Sequence, residues 1–320
     1  MKDRERHERG PELARVRRSA PILALLLALA ACTGEQAAPP PSSTPPSAPP
    51  SSTGTTPPAG GVYVSVGDSY ATGFRPAADG VPAGSTRDGF AYLVAERTGM
   101  RLVNVGCSGA TTAGLRERPG CAEFNRAPDA PDPEGRTQLD AAVAALRAHE
   151  GRVGLVTVVI GGNDLTPCAT ASDVLTCTSE AVADIQANLA AVLPVLREAA
   201  GDAPIVGLTY PDVFLGAWVS SAFPDGQNLA RQSVPLFRDF FNPVLEAEYE
   251  KVGGAFADVT EATGAYEPLT ETTRDPAYGP VPAPVARVCA LTYFCAHTDV
   301  HPTPAGHEAI ATAVLAAAGY

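Results

Sequence analysis

Apolar positions along the chain fall into two periods, and they alternate. Val62-Tyr63-Val64-Ser65-Val66 is a short β-rich run closed by Gly67, and Arg101-Leu102-Val103-Asn104-Val105 is a second, closed by Gly106. Val153–Ile160 is a continuous β-branched run, as expected of a strand covered on both faces. Pro204–Tyr210 and Ala255–Val259 read as two further strands. Between them lie stretches with helical spacing. Gly89–Thr98 is one, and Thr137–Glu150 is another, with Leu139, Val143 and Leu146 on one face. Ser179–Ala200 reads as a long helix that Ser179 would cap and Pro194 would kink. Asn228–Val252 and Pro304–Ala318 complete the set. Strands alternating with helices predict an α/β domain: a mainly parallel sheet with helices on both faces.

The first sixty residues do not share this pattern. Residues 1–31 carry seven Lys or Arg against four Asp or Glu and end in an apolar run, Pro21–Ala31. That run is too short to span a bilayer but suits a signal-peptide core. It closes on Leu29-Ala30-Ala31-Cys32, which resembles the lipobox of bacterial lipoproteins; the resemblance implies that Cys32 becomes the acylated first residue of the mature chain. Arg17-Arg18 leaves a twin-arginine export route open beside the general one. Thr33–Gly61 is rich in Pro, Ser, Thr and Gly, with nine prolines between Pro39 and Pro58. Such a segment has too little to bury to offset its ordering entropy and reads as a stiffened spacer. The expected organisation is therefore 1–31 signal peptide, 32–61 lipidated Cys and disordered linker, and 62–320 folded domain. The expected location is the outer face of the cell membrane, met through the lipid alone.

Charge and cysteine content sharpen this picture. The net charge of −12 and pI near 4.9 argue against a nucleic-acid partner, which needs a basic face. Without the leader the charge becomes −15. Setting Cys32 aside leaves six cysteines, an even number suited to disulfides in an exported chain. Fifteen pairings are possible. Their order suggests three local couples, Cys107 with Cys121, Cys168 with Cys177 and Cys289 with Cys295. A metal site is the alternative reading, although no Cys-x-x-Cys spacing is present.

In an open parallel sheet, ligands bind beyond the C-terminal ends of the strands. Three predicted strands end in Gly67-Asp68-Ser69-Tyr70, Gly106-Cys107-Ser108-Gly109 and Gly161-Gly162-Asn163-Asp164, and Asp299-Val300-His301-Pro302 precedes the last helix. Four such blocks, in this order, resemble the SGNH hydrolase superfamily, the Gly-Asp-Ser-Leu type esterases and lipases. Tyr210-Pro211 is similar to its actinobacterial lipase-like branch. The resemblance spans Val62 to the C-terminus. It implies a three-layer αβα sandwich around a flavodoxin-like sheet of about five strands, and hydrolysis of carboxylic esters through an acyl-enzyme. It assigns Ser69 as nucleophile and His301 as general base. It places the backbone N–H groups of Ser69 and Gly106 and the side-chain amide of Asn163 in the oxyanion hole. The first block carries Tyr70 where the family has leucine. The last has Asp299 two residues before the histidine, where three is usual and Thr298 stands. Either the Asp299 carboxylate or a backbone oxygen such as that of Thr298 would then orient the ring.

Competing readings remain open at this point. His297, Asp299 and His301 alternate by two, so on an extended segment they would share a face and make a candidate metal set. The same site could serve a carbohydrate or peptidoglycan O-acetylesterase, or an inactive domain that binds glycan or lipid. Residues Phe214–Phe223, with the sole Trp218, would either line an acyl pocket or pack into the core. No cofactor is expected. The expected state is a monomer acting on a small-molecule or lipid ester.

Overall fold

The computed structural model describes residues 58, 60–78 and 80–320. The signal-peptide reading, Cys32 and most of the spacer lie outside them. Five parallel strands form the central sheet: β1 (Val62–Gly67), β2 (Arg101–Asn104), β3 (Val153–Val159), β4 (Ile205–Leu208) and β5 (Ala255–Ala257). Their order is β2-β1-β3-β4-β5, with Val64 aligned to Val103 on one side and to Val156 on the other. This is the doubly wound order whose direction reverses at β1 and β3, where a crevice opens between adjacent strand ends.

Helices cover both faces. α1 (Ser69–Thr72) is a single turn directly after β1, and α2 (Phe90–Thr98) runs towards β2. α3 (Gln138–Ala148), α4 (Val174–Ala200) and α5 (Asn242–Glu250) pack side by side on one face. α2 and the terminal α6 (Pro304–Ala318) pack together on the other. The core is continuous through the sheet. Tyr63, Val64, Val66, Leu155, Val156 and Ile205 are buried between Leu146, Ile185, Leu189 and Leu193 on one side and Phe90, Val94, Ile310 and Val314 on the other. At Gly207 a side chain would run into the Tyr249 ring of α5, so the helix lies directly on the strand there. No helix among the described residues is long and apolar enough to cross a membrane.

The strands expected at Pro204–Tyr210 and Ala255–Val259 are shorter, Ile205–Leu208 and Ala255–Ala257, and two helices depart from the sequence expectation for local reasons. α4 starts at Val174, not Ser179, because the Asp173 carboxylate accepts the Thr176 N–H and caps an earlier turn. The Asn228–Val252 run begins at Gly226 and is broken by a widened turn, Phe237–Phe241, before α5. That turn ends two residues before Pro243, whose missing N–H removes a rung from the helical ladder. Pro194 stands inside α4, which runs on through it.

The six cysteines pair as Cys107–Cys121, Cys168–Cys177 and Cys289–Cys295. The Phe214–Phe223 stretch is core only in part: Leu215, Gly216 and Ala217 are buried, whereas Ser221 and Ala222 are exposed and Trp218 and Phe223 line a surface hollow with Asn228 and Arg231. Phe214 and Phe223 both pack on Phe294, and Arg231 lies over the Trp218 ring at 4.6 Å.

Candidate active site

β1 ends at Gly67, where φ is +145° and an added Cβ would collide with the Val159 carbonyl of β3. Only glycine lets the chain turn this sharply against its neighbour strand. Asp68 follows and its carboxylate accepts the Tyr70 N–H at 2.9 Å, which starts α1 at Ser69. Ser69 is 9% exposed, and its backbone N–H makes no hydrogen bond among the described residues.

The histidine comes from the far end of the chain. A short helical turn, Phe294–His297, ends on Thr298, which adopts φ +54°. This left-handed residue reverses the chain into Asp299. One Asp299 oxygen then accepts both the His301 backbone N–H at 2.9 Å and ring Nδ1 at 2.7 Å. The other ring nitrogen, Nε2, lies 2.9 Å from Ser69 Oγ. A carboxylate only accepts, so Nδ1 carries the proton and Nε2 presents its lone pair to the serine hydroxyl. Burial works to raise the Asp299 carboxyl. The two hydrogen bonds from His301 and the nearby imidazole outweigh it, so the group sits below the usual carboxylate range. It is therefore ionised at neutral pH. The two-residue step does reach the ring, and the carboxylate rather than the Thr298 carbonyl holds it.

The His297 ring lies 5.9 Å from the Tyr293 ring, centroid to centroid. His297 belongs to the helical turn before Thr298, so it does not share an extended face with Asp299 and His301. Among the described residues, no three His, Cys, Asp or Glu side chains are grouped to hold a metal ion. His149 caps the end of α3 beside Arg101 and Arg152. His307 is buried in α6, where its Nδ1 accepts the Phe90 N–H and burial depresses it to about 3.

The loop after β2 corrects one expectation. The Gly106 N–H is already taken by the Asn104 side-chain oxygen at 2.9 Å. Gly106 is buried against α1, and an added Cβ would sit 3.0 Å from that of Ala71. Its glycine serves close packing on α1, not donation into the cleft. Gly109 differs. It is exposed, adopts φ +82°, and its N–H makes no hydrogen bond among the described residues. Its neighbours tie it to both other loops: Ser108 Oγ meets Thr72 Oγ1 of α1 at 2.9 Å, and the Ala110 carbonyl accepts from Asn163 Nδ2 at 2.9 Å. Asn163 thus uses one amide hydrogen to fix its own orientation and keeps a second. Asp164 accepts the Thr112 N–H and hydroxyl, which fastens the same two loops again.

Two tyrosines complete the frame, and neither role is visible in sequence spacing. The Tyr210 hydroxyl, from the end of β4, donates to Asp68 at 2.6 Å and accepts the Gly162 N–H at 3.0 Å. It joins the serine turn to the asparagine loop. Asp68 is fully enclosed; burial lifts its carboxyl to about 6 despite the opposing hydrogen bonds from Tyr210 and Tyr70. Tyr70, in the leucine position, donates its hydroxyl to the Val300 carbonyl at 2.6 Å. It joins the serine turn to the histidine loop.

A serine hydroxyl against an imidazole that a carboxylate orients can act as a nucleophile–base pair, and the serine's own backbone N–H is free among the described residues. The profile of the GDSL-like lipase/acylhydrolase family matches residues 65–309, which includes every loop described above. The chain belongs to the GDSL-like lipase/acylhydrolase family. Solved structures similar to it include an extracellular lipase from Streptomyces rimosus, 20% identical, covering 80% of this chain and 99% of that one at a TM-score of 0.47. An acetyl xylan esterase from Geobacillus stearothermophilus is 19% identical over 82% of this chain and 95% of that one, at a TM-score of 0.46. No curated protein matches the chain. Family membership and the five-stranded parallel sheet together fix the setting of the site as that of a GDSL-type αβα hydrolase fold.

Proposed function

We propose that this chain is an exported, lipid-anchored serine esterase that hydrolyses carboxylic esters. The observation that carries the reading is the continuous chain from Asp299 through His301 to Ser69, with contacts of 2.7 and 2.9 Å. Ser69 Oγ attacks the ester carbonyl while His301 Nε2 takes its proton. Charge builds on the carbonyl oxygen, which the Ser69 N–H, the Gly109 N–H and the second Asn163 amide hydrogen receive. His301 then protonates the departing alkoxide, leaving an acyl-Ser69 ester. Water, deprotonated by the same imidazole, attacks this ester and releases the acid. Asp299 keeps the ring in the required tautomer and offsets the charge of the imidazolium. No step calls for a cofactor.

Export and anchoring rest on the lipobox-like Leu29-Ala30-Ala31-Cys32 and on the three disulfides, which suit an oxidising compartment. The spacer would hold the domain off the membrane surface. Metabolic labelling with a palmitate analogue tests this part: label is expected on the full chain and absent from Cys32→Ala. Label retained by Cys32→Ala would refute the anchor.

The test of the enzymatic reading is hydrolysis of p-nitrophenyl acetate by the wild type and by Ser69→Ala. Turnover is expected from the first and only background from the second, at unchanged melting temperature. Turnover retained by Ser69→Ala would overturn the nucleophile assignment.

A further inference from the structure

The attacked carbon has four substituents in the tetrahedral intermediate, and the mechanism proposed above assigns a direction to three of them. One is Ser69 Oγ. The oxyanion faces the Gly109 and Asn163 side. The leaving oxygen must face His301 Nε2, which protonates it. The alcohol part of the ester therefore passes beside the His301 ring, and the acyl chain takes the remaining direction.

What lies beside that ring is aromatic. The Phe74 ring is 4.7 Å from the His301 ring, centroid to centroid, and tilted 52° to it. Phe124 meets Phe74 edge-on at 6.4 Å and continues outward. Phe124 is 64% exposed, and Val300, between Asp299 and His301 in sequence, is 44% exposed. Large apolar side chains held in water beside a reaction centre are characteristic of a binding surface.

The support under Phe124 is firm. It stands on a short turn, Glu123–Asn125, next to Cys121 of the Cys107–Cys121 disulfide. The Asn125 carbonyl accepts the Ser108 N–H at 2.8 Å, and the Arg126 backbone pairs antiparallel with that of Cys107. The turn is thereby fastened to the loop that carries Gly109, and the backbone that bears the ring has a fixed place.

We infer that Phe74, Phe124 and Val300 form the subsite for the alcohol moiety, and that the preferred substrates are esters of flat, apolar alcohols such as aromatic ones. This rests on the serine-esterase reading above and adds a substrate class to it. The ring of such an alcohol would lie against Phe124 and the edge of Phe74, gaining aromatic contact and burying exposed apolar surface. It gains these contacts as the leaving oxygen reaches Nε2.

The experiment compares kcat/KM for three esters: methyl acetate, benzyl acetate and methyl hexanoate. Methyl and benzyl alcohols are similarly acidic, so the first pair differs mainly in the surface it offers. The third ester extends the acyl side only. For the wild type, benzyl acetate is expected to exceed methyl acetate by about tenfold or more. In Phe124→Ala this ratio is expected to fall by about fivefold, while Phe124→Trp keeps it. The ratio of methyl hexanoate to methyl acetate is expected to stay within about twofold in both variants. A benzyl preference untouched by Phe124→Ala, or a loss that falls on the hexanoate ratio instead, overturns the subsite while leaving the esterase reading in place. Failure of the wild type to cleave any of the three, or cleavage that survives Ser69→Ala, overturns both.

Discussion

Asp299 stands one residue closer to His301 than the family pattern has it, and one backbone conformation absorbs the difference. Thr298 at φ +54° turns the chain so that a single carboxylate oxygen meets both the His301 N–H and its ring. Asp299→Asn can offer the ring an N–H instead, which selects the wrong tautomer; kcat/KM is expected to fall about a thousandfold or more with the melting temperature maintained. Steady-state kinetics with p-nitrophenyl acetate read this directly. Asn163→Ala removes a donor needed only once charge has formed, so kcat is expected to drop by about a hundredfold or more with KM little changed. Tyr70→Phe deletes the bond to the Val300 carbonyl and loosens the histidine loop from the serine turn. Its expected signature is smaller, a roughly three- to tenfold loss in kcat, because one neutral hydrogen bond is at stake. Strand ends showed where to look, but the roles of Ser69, His301 and Asn163 came from the resemblance of four blocks to the SGNH superfamily, and that resemblance left Asp299 level with the Thr298 carbonyl. It did not separate Gly106 from Gly109, since what decides between them is the Asn104 side chain occupying one N–H. The linking roles of Tyr70 and Tyr210 were hidden for a similar reason: their partners lie 230 and 142 residues away.

At the level of elements, the five strands and the main helices were legible from apolar runs and helical spacing, although their ends were not. The strand β3 could hardly be misread, as its apolar run is uninterrupted. The shorter pieces were not legible. The two-stranded ribbons Phe74–Arg75 with Gly84–Ser85 and Thr272–Asp275 with Gly279–Pro282 are too brief to show alternation. One of these ribbons supplies Phe74, so the surface beside the histidine stayed unseen until the chain was folded. The disulfides act on this level too. Cys107–Cys121 closes a loop that carries Gly109 at one end and leads into the Phe124 turn at the other. Replacing both cysteines by alanine is expected to cost about 3 kcal/mol of stability, by loop-closure entropy for a loop of this length. It is also expected to lower kcat, because the Gly109 N–H loses its fixed place. Denaturant unfolding and kinetics on the same preparation measure the two effects. Unchanged kcat would show that the loop is held by Ser108 and Ala110 alone.

The whole molecule carries a pH dependence that does not come from the catalytic chain. Asp212 is fully buried, and burial raises its carboxyl to about 7 although the Ser233 hydroxyl and the Phe214 N–H bond to it. A carboxyl raised from 3.8 in this way contributes stability that is present below about 3.8 and is lost as pH rises through about 7. Asp212→Asn stays neutral throughout. Relative to the wild type, its melting temperature is therefore expected to rise between pH 5 and pH 8, by several degrees or more. A constant difference across that range would show that the wild-type carboxylate is accommodated without penalty. The central claim is that one serine, in a chain with several dozen hydroxyl groups, is the nucleophile. A fluorophosphonate forms a stable adduct only with an activated serine, so the most direct measurement is intact-mass and peptide mass spectrometry of the treated protein, read against residual esterase activity. The account predicts a single adduct, on the peptide containing Ser69, with activity falling in step with labelling and no adduct in His301→Ala. An adduct on any other residue, or full activity in stoichiometrically labelled protein, would contradict it.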